Sequence, residues 1–141
     1  MSTPNQKTVI LVDKHLPTGL AVNAASIVAS MMTTAMPDLM GPPVATADSQ
    51  LPGVVLAPLP VLASYASGLR SVWEQASNPE SGLTVFPFTK LAQGCKTYQE
   101  YIEKVAASPT AELELAALGI AGPKKSVNSL TGDTPLYPAR A

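Results

Sequence analysis

The chain has 141 residues, enough for one domain that buries roughly two-thirds of its unfolded surface. Charged residues are 13% and hydrophobic residues 46%, where about a quarter charged is ordinary, so charge-driven disorder is excluded and most of the surface must be neutral. A net charge of −1 gives no basic field for nucleic acid, and one cysteine forbids an internal disulfide and any multi-cysteine metal site.

Lys7 to Val12 (KTVILV) is β-branched and apolar without alternation, which predicts a central strand covered on both faces. Asp13 to Gly19 turns the chain, and Thr18 is placed to cap a helix from about Gly19 to Met36. Leu20, Ala24, Ile27, Val28, Met31, Met32 and Ala35 would line its packing face. Leu16 to Pro37 carries no charge, yet Pro17, Gly19, Asn23 and several Ser and Thr interrupt it and Asp38 follows at once. A spanning helix needs about 20 mostly apolar residues, so the reading is a packed soluble helix with no membrane partner. The polar opening residues and the short first apolar run offer no export segment, and the expected location is the cytoplasm.

Pro37 to Gly53 reads as loop, Val54 to Ala57 (VVLA) as a second buried strand, and Pro60 to Ala76 as an amphipathic helix with Pro in its first turn. Leu83 to Phe88 is a third strand that Pro87 pushes toward an edge. Thr97 to Ala107 is a short helix. Leu113 to Ile120 suits helix by propensity and strand by its ALGI ending. Lys124 to Leu130 is a short helix closed by Gly132, followed by an extended, Pro-rich tail from Asp133. Strand and helix alternate, which predicts an α/β layer structure with mostly parallel strands in a single domain over 1–141, its core over 7–137 and tails at 1–6 and 138–141.

Charge is unevenly spread. Between Lys14 and Arg70 there is no Lys or Arg, and Asp38 and Asp48 are the only acids. Gripping RNA requires several phosphates to be neutralised, so a nucleic-acid partner is disfavoured. The scarcity of solubilising charge points instead to a buried face between two copies, and the expectation is a homodimer.

Two segments, KTVILVDKHLPTGLAVNAASIVA (Lys7 to Ala29) and LGIAGPKKSVNSLTGDTPLY (Leu118 to Tyr137), resemble the two ends of the peptidyl-tRNA hydrolase type II fold. The middle is similar to an uncharacterised branch of that fold, the domain-of-unknown-function family two thousand. The likeness lies in Asn23, the Pro37-Asp38-Leu39-x-Gly41 segment, Asp48 and a Pro-rich start to the second helix. The resemblance implies a three-layer α/β/α sandwich around a four-stranded mixed sheet, with a fourth strand within Leu113 to Ile120. It also exposes two departures. Type II hydrolases carry lysines before and in the first turn of the Ala-rich helix, where Pro17 to Val22 has none. They also carry an Asp just after the third strand, where this chain reads Thr89-Lys90-Leu91-Ala92. Peptidyl-tRNA hydrolysis is therefore not expected, and fold likeness alone does not supply it.

In open α/β sheets ligands bind beyond the carboxyl ends of parallel strands. The loops expected there are Asp13 to Gly19, Pro58 to Pro60 and Thr89 to Cys95. His15, the only histidine, is either a base near neutral pH or a solvated loop residue. Cys95 is either a nucleophile paired with His15 or a small inert residue. Asn23 either holds a ligand or ties down a loop, and the family resemblance tilts it toward the site. Lys14, Thr18, Gly19 and Thr131 complete the ligand-binding candidates, beside the plainer readings of exposed lysine and helix termini. Asp13, Asp38 and Asp48 are acids whose spacing predicts no convergence. No phosphate-loop or dinucleotide fingerprint is present, so no cofactor and no metal are expected. Two functions follow. One is a small-ligand-binding or regulatory module that keeps the hydrolase fold without its catalysis. The other is an enzyme acting on an amide or acyl group at the loop-rich end.

Overall fold

The structure, a computed structural model, describes residues 5–139. In chain order the elements are β1 Gln6–Asp13, α1 Thr18–Ala35, β2 Val44–Ala45, β3 Gln50–Leu51, β4 Val61–Ser64, α2 Ala66–Ala76, β5 Thr84–Thr89, α3 Lys90–Gly94, α4 Tyr98–Ala106, β6 Leu115–Pro123 and α5 Lys124–Thr131. Four strands form one mixed sheet in the order β4-β1-β6-β5, and β2 and β3 form a separate small hairpin. β1 pairs parallel to β4 and antiparallel to β6, and β5 pairs antiparallel to β6. Consequently β1, β4 and β5 all finish at the same end of the sheet, where β6 begins.

The unalternating apolar run of β1 is explained by helices on both faces. Val9 and Leu11 pack with Leu118 and Ile120 of β6, with Leu69 and Val72 of α2 and with Val127 of α5. Ile10 and Val12 pack on the opposite face with Ala117 and Ala121 of β6 and with Ala21, Ala24, Val28 and Met32 of α1. The second face is built from small residues so that α1 can approach closely. Gly119 lies at the contact, where a Cβ would come within 2.7 Å of both Met32 Sδ and Val28 Cγ1.

This close approach rotates α1 from the expected face. Its buried residues are Ala21, Ala24, Val28 and Met32, while Leu20 and Ile27 are turned to solvent. Small side chains meet the strand surface because larger ones would hold the helix away from it. Thr18 is the first residue of the helix rather than its cap. Pro17 occupies the cap position, and no side chain caps the first amides.

The expected strand at Val54 to Ala57 is not formed. Val54 is 70% exposed, and the second sheet strand is β4, which aligns Val61 with Ile10 of β1. Residues 40–57 instead make a narrow arm that ends in the β2–β3 hairpin. Its two legs are joined by Gly41 N–H donating to Val54 O at 2.7 Å and Leu56 N–H to Leu39 O at 2.9 Å. Gly53 lies so close to the Gly41 carbonyl that a Cβ would come within 2.0 Å of its oxygen. Pro58 and Pro60 have no amide to donate to a ladder, so β4, at the edge of the sheet, begins only where the prolines end. The Pro60 carbonyl takes the Ile10 amide at 3.0 Å, and the strand runs from there. The helix expected from Pro60 accordingly begins at Ala66.

β5 lies at the sheet edge, as Pro87 requires, with an irregularity between Phe88 and Thr89. The extended tail covers the other edge. Ala63 N–H donates to Pro135 O and Tyr137 N–H to Val61 O, both at 2.8 Å. Leu115–Pro123 is the fourth strand, so tertiary pairing overrides the helix propensity of LELAAL. Of the expected tails, residues 1–4 and 140–141 lie outside the described residues.

Candidate functional site

The carboxyl ends of β1, β4 and β5 bring together Asp13, Ser64 and Thr89, each followed at once by a polar or aromatic residue. Asp13 is 1% exposed, and a buried carboxylate is tolerable only when paired and hydrogen-bonded. Both conditions are met. One carboxylate oxygen accepts the His15 backbone amide at 2.9 Å, and the other lies 2.8 Å from Lys90 Nζ. Lys90 also reaches Glu114 at 3.5 Å, and its backbone amide donates to Glu114 O at 2.9 Å. The hydrogen bond to Asp13 holds the Lys90 ammonium above the usual lysine range. The negative charges of Asp13 and Glu114 reinforce that rise against the opposing effect of burial. α3 starts immediately here because Thr89 caps it, its Oγ1 accepting the Ala92 amide at 3.0 Å.

Beside this pair the β1 turn meets β4. Lys14 N–H donates to Ser64 O at 2.8 Å, which carries the parallel ladder one step past the strand. The Lys14 ammonium then lies 4.8 Å from the centre of the Tyr65 ring, and the His15 ring packs against the same tyrosine at 5.5 Å. A cleft of about 330 Å³ opens next to them, bordered by Lys14, Ser64 and Tyr65 on one side and by Asp133 and Thr134 on the other. It offers one cation, one carboxylate, the hydroxyls of Ser64, Tyr65 and Thr134, and an aromatic face.

Of the residues singled out from the sequence, Lys14 alone borders this cleft, with His15 packed on the tyrosine at its margin. Asn23 is exposed, and its side-chain oxygen accepts from Gln93 Nε2 at 3.1 Å. The same Gln93 nitrogen donates to Leu20 O at 2.8 Å, so Asn23 ties α1 to α3. Thr18 and Gly19 are exposed at the start of α1, with open space around Gly19. Thr131 is buried, with its hydroxyl donating to Val127 O at 2.8 Å inside α5. Cys95 borders a different groove, with Ile27, Met31 and Tyr101, and its thiol lies 3.2 Å from Leu91 O. The structure does not bring Cys95 and His15 into contact. Nor do the three acids meet: Asp38 borders a hollow near Lys7, and Asp48 accepts from Thr46 Oγ1 in the hairpin. The expected Pro58–Pro60 loop lies at the opposite end of the sheet, because β4 begins after it. The turn at Ser64 and Tyr65 stands in its place.

Sequence reasoning missed Lys90, Ser64, Tyr65, Asp133 and Thr134. A signal for Lys90 was present: opposite charges directly follow two strand-like runs, and parallel strands would bring such residues to one end. Tyr65 was hidden by its placement inside a helix that begins one residue later.

A comparison with curated proteins finds no match. The fold is similar to that of a solved structure, the protein of unknown function Atu0240 from Agrobacterium tumefaciens strain C58. The TM-score is 0.84 at 12% identity, over 96% of this chain and 99% of that one, and at this identity the likeness concerns the fold alone. Residues 6–138 match the family described as "Protein of unknown function (DUF2000)", and the chain belongs to that family.

Proposed function

We propose that the chain is a small-ligand-binding module on a peptidyl-tRNA hydrolase II-like fold from which that family's catalysis is missing. The observation that carries this reading is the commitment of Asp13. Its two oxygens are taken by the Lys90 ammonium and the His15 amide, so the buried acid at the strand ends is not free to act as a base. What stays open beside it is the polar cleft of Lys14, Ser64, Tyr65, Asp133 and Thr134. A cation facing a carboxylate across hydroxyls and a ring suits a small molecule that bears both signs of charge, such as a free amino acid or dipeptide. The mixed sheet order and the Ala-rich helix packed close on it support the fold likeness. The lysine-free first turn of α1, and Lys90 where the hydrolases carry an acid, support the loss of their activity.

The reading is tested by titrating the isotope-labelled chain with the twenty amino acids and a set of dipeptides. Saturable amide shifts at Ser64, Tyr65 and Thr134 are expected, and Tyr65→Ala and Lys14→Gln should weaken them. Release of N-acetyl amino acid from N-acetyl-aminoacyl-tRNA above the buffer rate, lost in His15→Ala, would overturn it in favour of the enzyme.

We also propose that the chain pairs with a second copy through its charge-poor part. Among the described residues twelve large hydrophobics are exposed, and five of them, Met40, Val44, Leu51, Val54 and Leu56, lie on the 40–57 arm, whose single charged residue is Asp48. A nearly neutral apolar face selects no oppositely charged partner and does not repel its own copy. Light scattering should give twice the chain mass, with Val54→Glu and Leu56→Glu together returning a monomer. A monomer mass for the unaltered chain at micromolar concentration counts against pairing.

A further inference from the structure

The amino end of the sheet holds a second cleft, of about 370 Å³, unlike the polar one in its walls. Leu39, Ala57, Pro58 and Pro60 form an apolar lining, and Lys7 and Lys124 border it. It exists because the chain entering β4 is too rich in proline to pair along β1, which leaves a gap between that leg and the start of β1. The two lysines are close in space. Lys7 Nζ donates to Asn128 Oδ1 at 2.6 Å, and Asn128 lies one turn along α5 from Lys124, on the same helix face. Among the described residues neither lysine has an ion pair. Asp38 borders an adjoining hollow that shares Lys7 with this cleft, and it is engaged in a contact of its own. The cations are also set against the helix. Lys124 and Lys125 open α5, whose first turn has no acid, although the positive end of a helix disfavours positive charge. An arriving anion would relieve both conditions at once.

We propose that this cleft binds a carboxylate with a short apolar tail, the tail against Leu39, Pro58 and Pro60 and the carboxylate between the Lys7 and Lys124 ammonium groups. The volume is near the lower limit of small-molecule sites, roughly 300–1,000 Å³, which matches a medium-length acyl chain rather than a long one. This site is at the opposite end of the sheet from the cleft at Lys14 and Tyr65 and does not depend on what that cleft binds.

The test is a methyl and amide NMR titration of the full chain with sodium octanoate below its micelle concentration, with acetate and 1-octanol as comparators. Octanoate should give saturable shifts at Leu39, Ala57 and the start of α5, and acetate should give none at Leu39 and Ala57. Lys7→Gln with Lys124→Gln should weaken octanoate at least tenfold while leaving any octanol binding unchanged. Three results would overturn the proposal: no saturable shift around Leu39, undiminished octanoate affinity in the double variant, or acetate reproducing the octanoate shifts. Should Lys7→Gln disturb β1, shown by a lowered melting temperature, Lys124→Gln alone carries the comparison, since its side chain is exposed at the helix start.

Discussion

The two ends of the sheet use lysine in opposite ways. At the carboxyl end Lys90 neutralises a buried carboxylate, and its contacts to Asp13 and Glu114 tie the ends of β1 and β5 to the start of β6. At the amino end Lys7 donates to a neutral amide instead of an acid, beside an apolar cleft. A buried ion pair is spent on architecture, because separating it leaves a desolvated charge. An exposed, unneutralised cation contributes little to stability and is left available to a ligand.

The sharpest way to break this comparison is to remove each partner of the buried pair in turn. Lys90→Ala strands the Asp13 carboxylate where water does not reach it, and should cost about 3 kcal/mol, the low end for a broken buried pair, since Lys90 itself is 35% exposed. Asp13→Ala leaves a lysine that can turn to solvent and should cost less, about 1–2 kcal/mol, chiefly through the orphaned His15 amide. Urea unfolding of both variants, and of the double variant Asp13→Ala with Lys90→Ala, closes the cycle. The double change should cost less than the sum of the single ones. Equal losses for the two single variants would show that burial of Asp13 is not what governs the pair.

Between the two ends the sheet is held by close packing instead of charge. Gly119→Ala should cost about 2 kcal/mol by overpacking against Val28 and Met32, an effect visible as a lowered urea midpoint with an unchanged slope. A neutral outcome would mean that α1 can slide on the strand, and that the Ala-rich face is permissive rather than fitted.

How much of this was readable in the chain depends on where local pattern and tertiary pairing agree. Lys7 to Val12 is legible because two-sided burial writes an unbroken apolar run, and Pro87 correctly marks an edge. Val54 to Ala57 misleads because a β-branched tetrapeptide reads the same on an exposed arm as in a core, and only the pairing of Val61 with Ile10 decides between them. At the site, sequence found Lys14 and His15 because they follow a strand. It passed over Ser64 and Tyr65 because the strand that delivers them was placed seven residues too early. The Asn23–Gln93 tie spans 70 positions and leaves no local trace.

Smaller effects sharpen the contrast between the ends. Because Lys90 has a folded-state pKa raised above its unfolded value, chiefly by the hydrogen bond to Asp13, the pair contributes fully below the unfolded lysine range, roughly pH 10.4, and its contribution is lost as pH rises through the folded value. Solvent screening at a side chain a third exposed limits the amplitude to about 1 kcal/mol. Unfolding midpoints measured from pH 9 upward should therefore fall more steeply for the unaltered chain than for Lys90→Ala. Lys7→Gln and Lys124→Gln should each leave stability within about 0.5 kcal/mol at neutral pH, because neither removes an ion pair or a buried contact. Removing Lys124 should even relieve the unfavourable charge at the start of α5, so a small gain in midpoint is the expected sign. A clear loss in that variant would mean that Lys124 is already paired within the fold, and the two ends of the sheet would then differ in degree only.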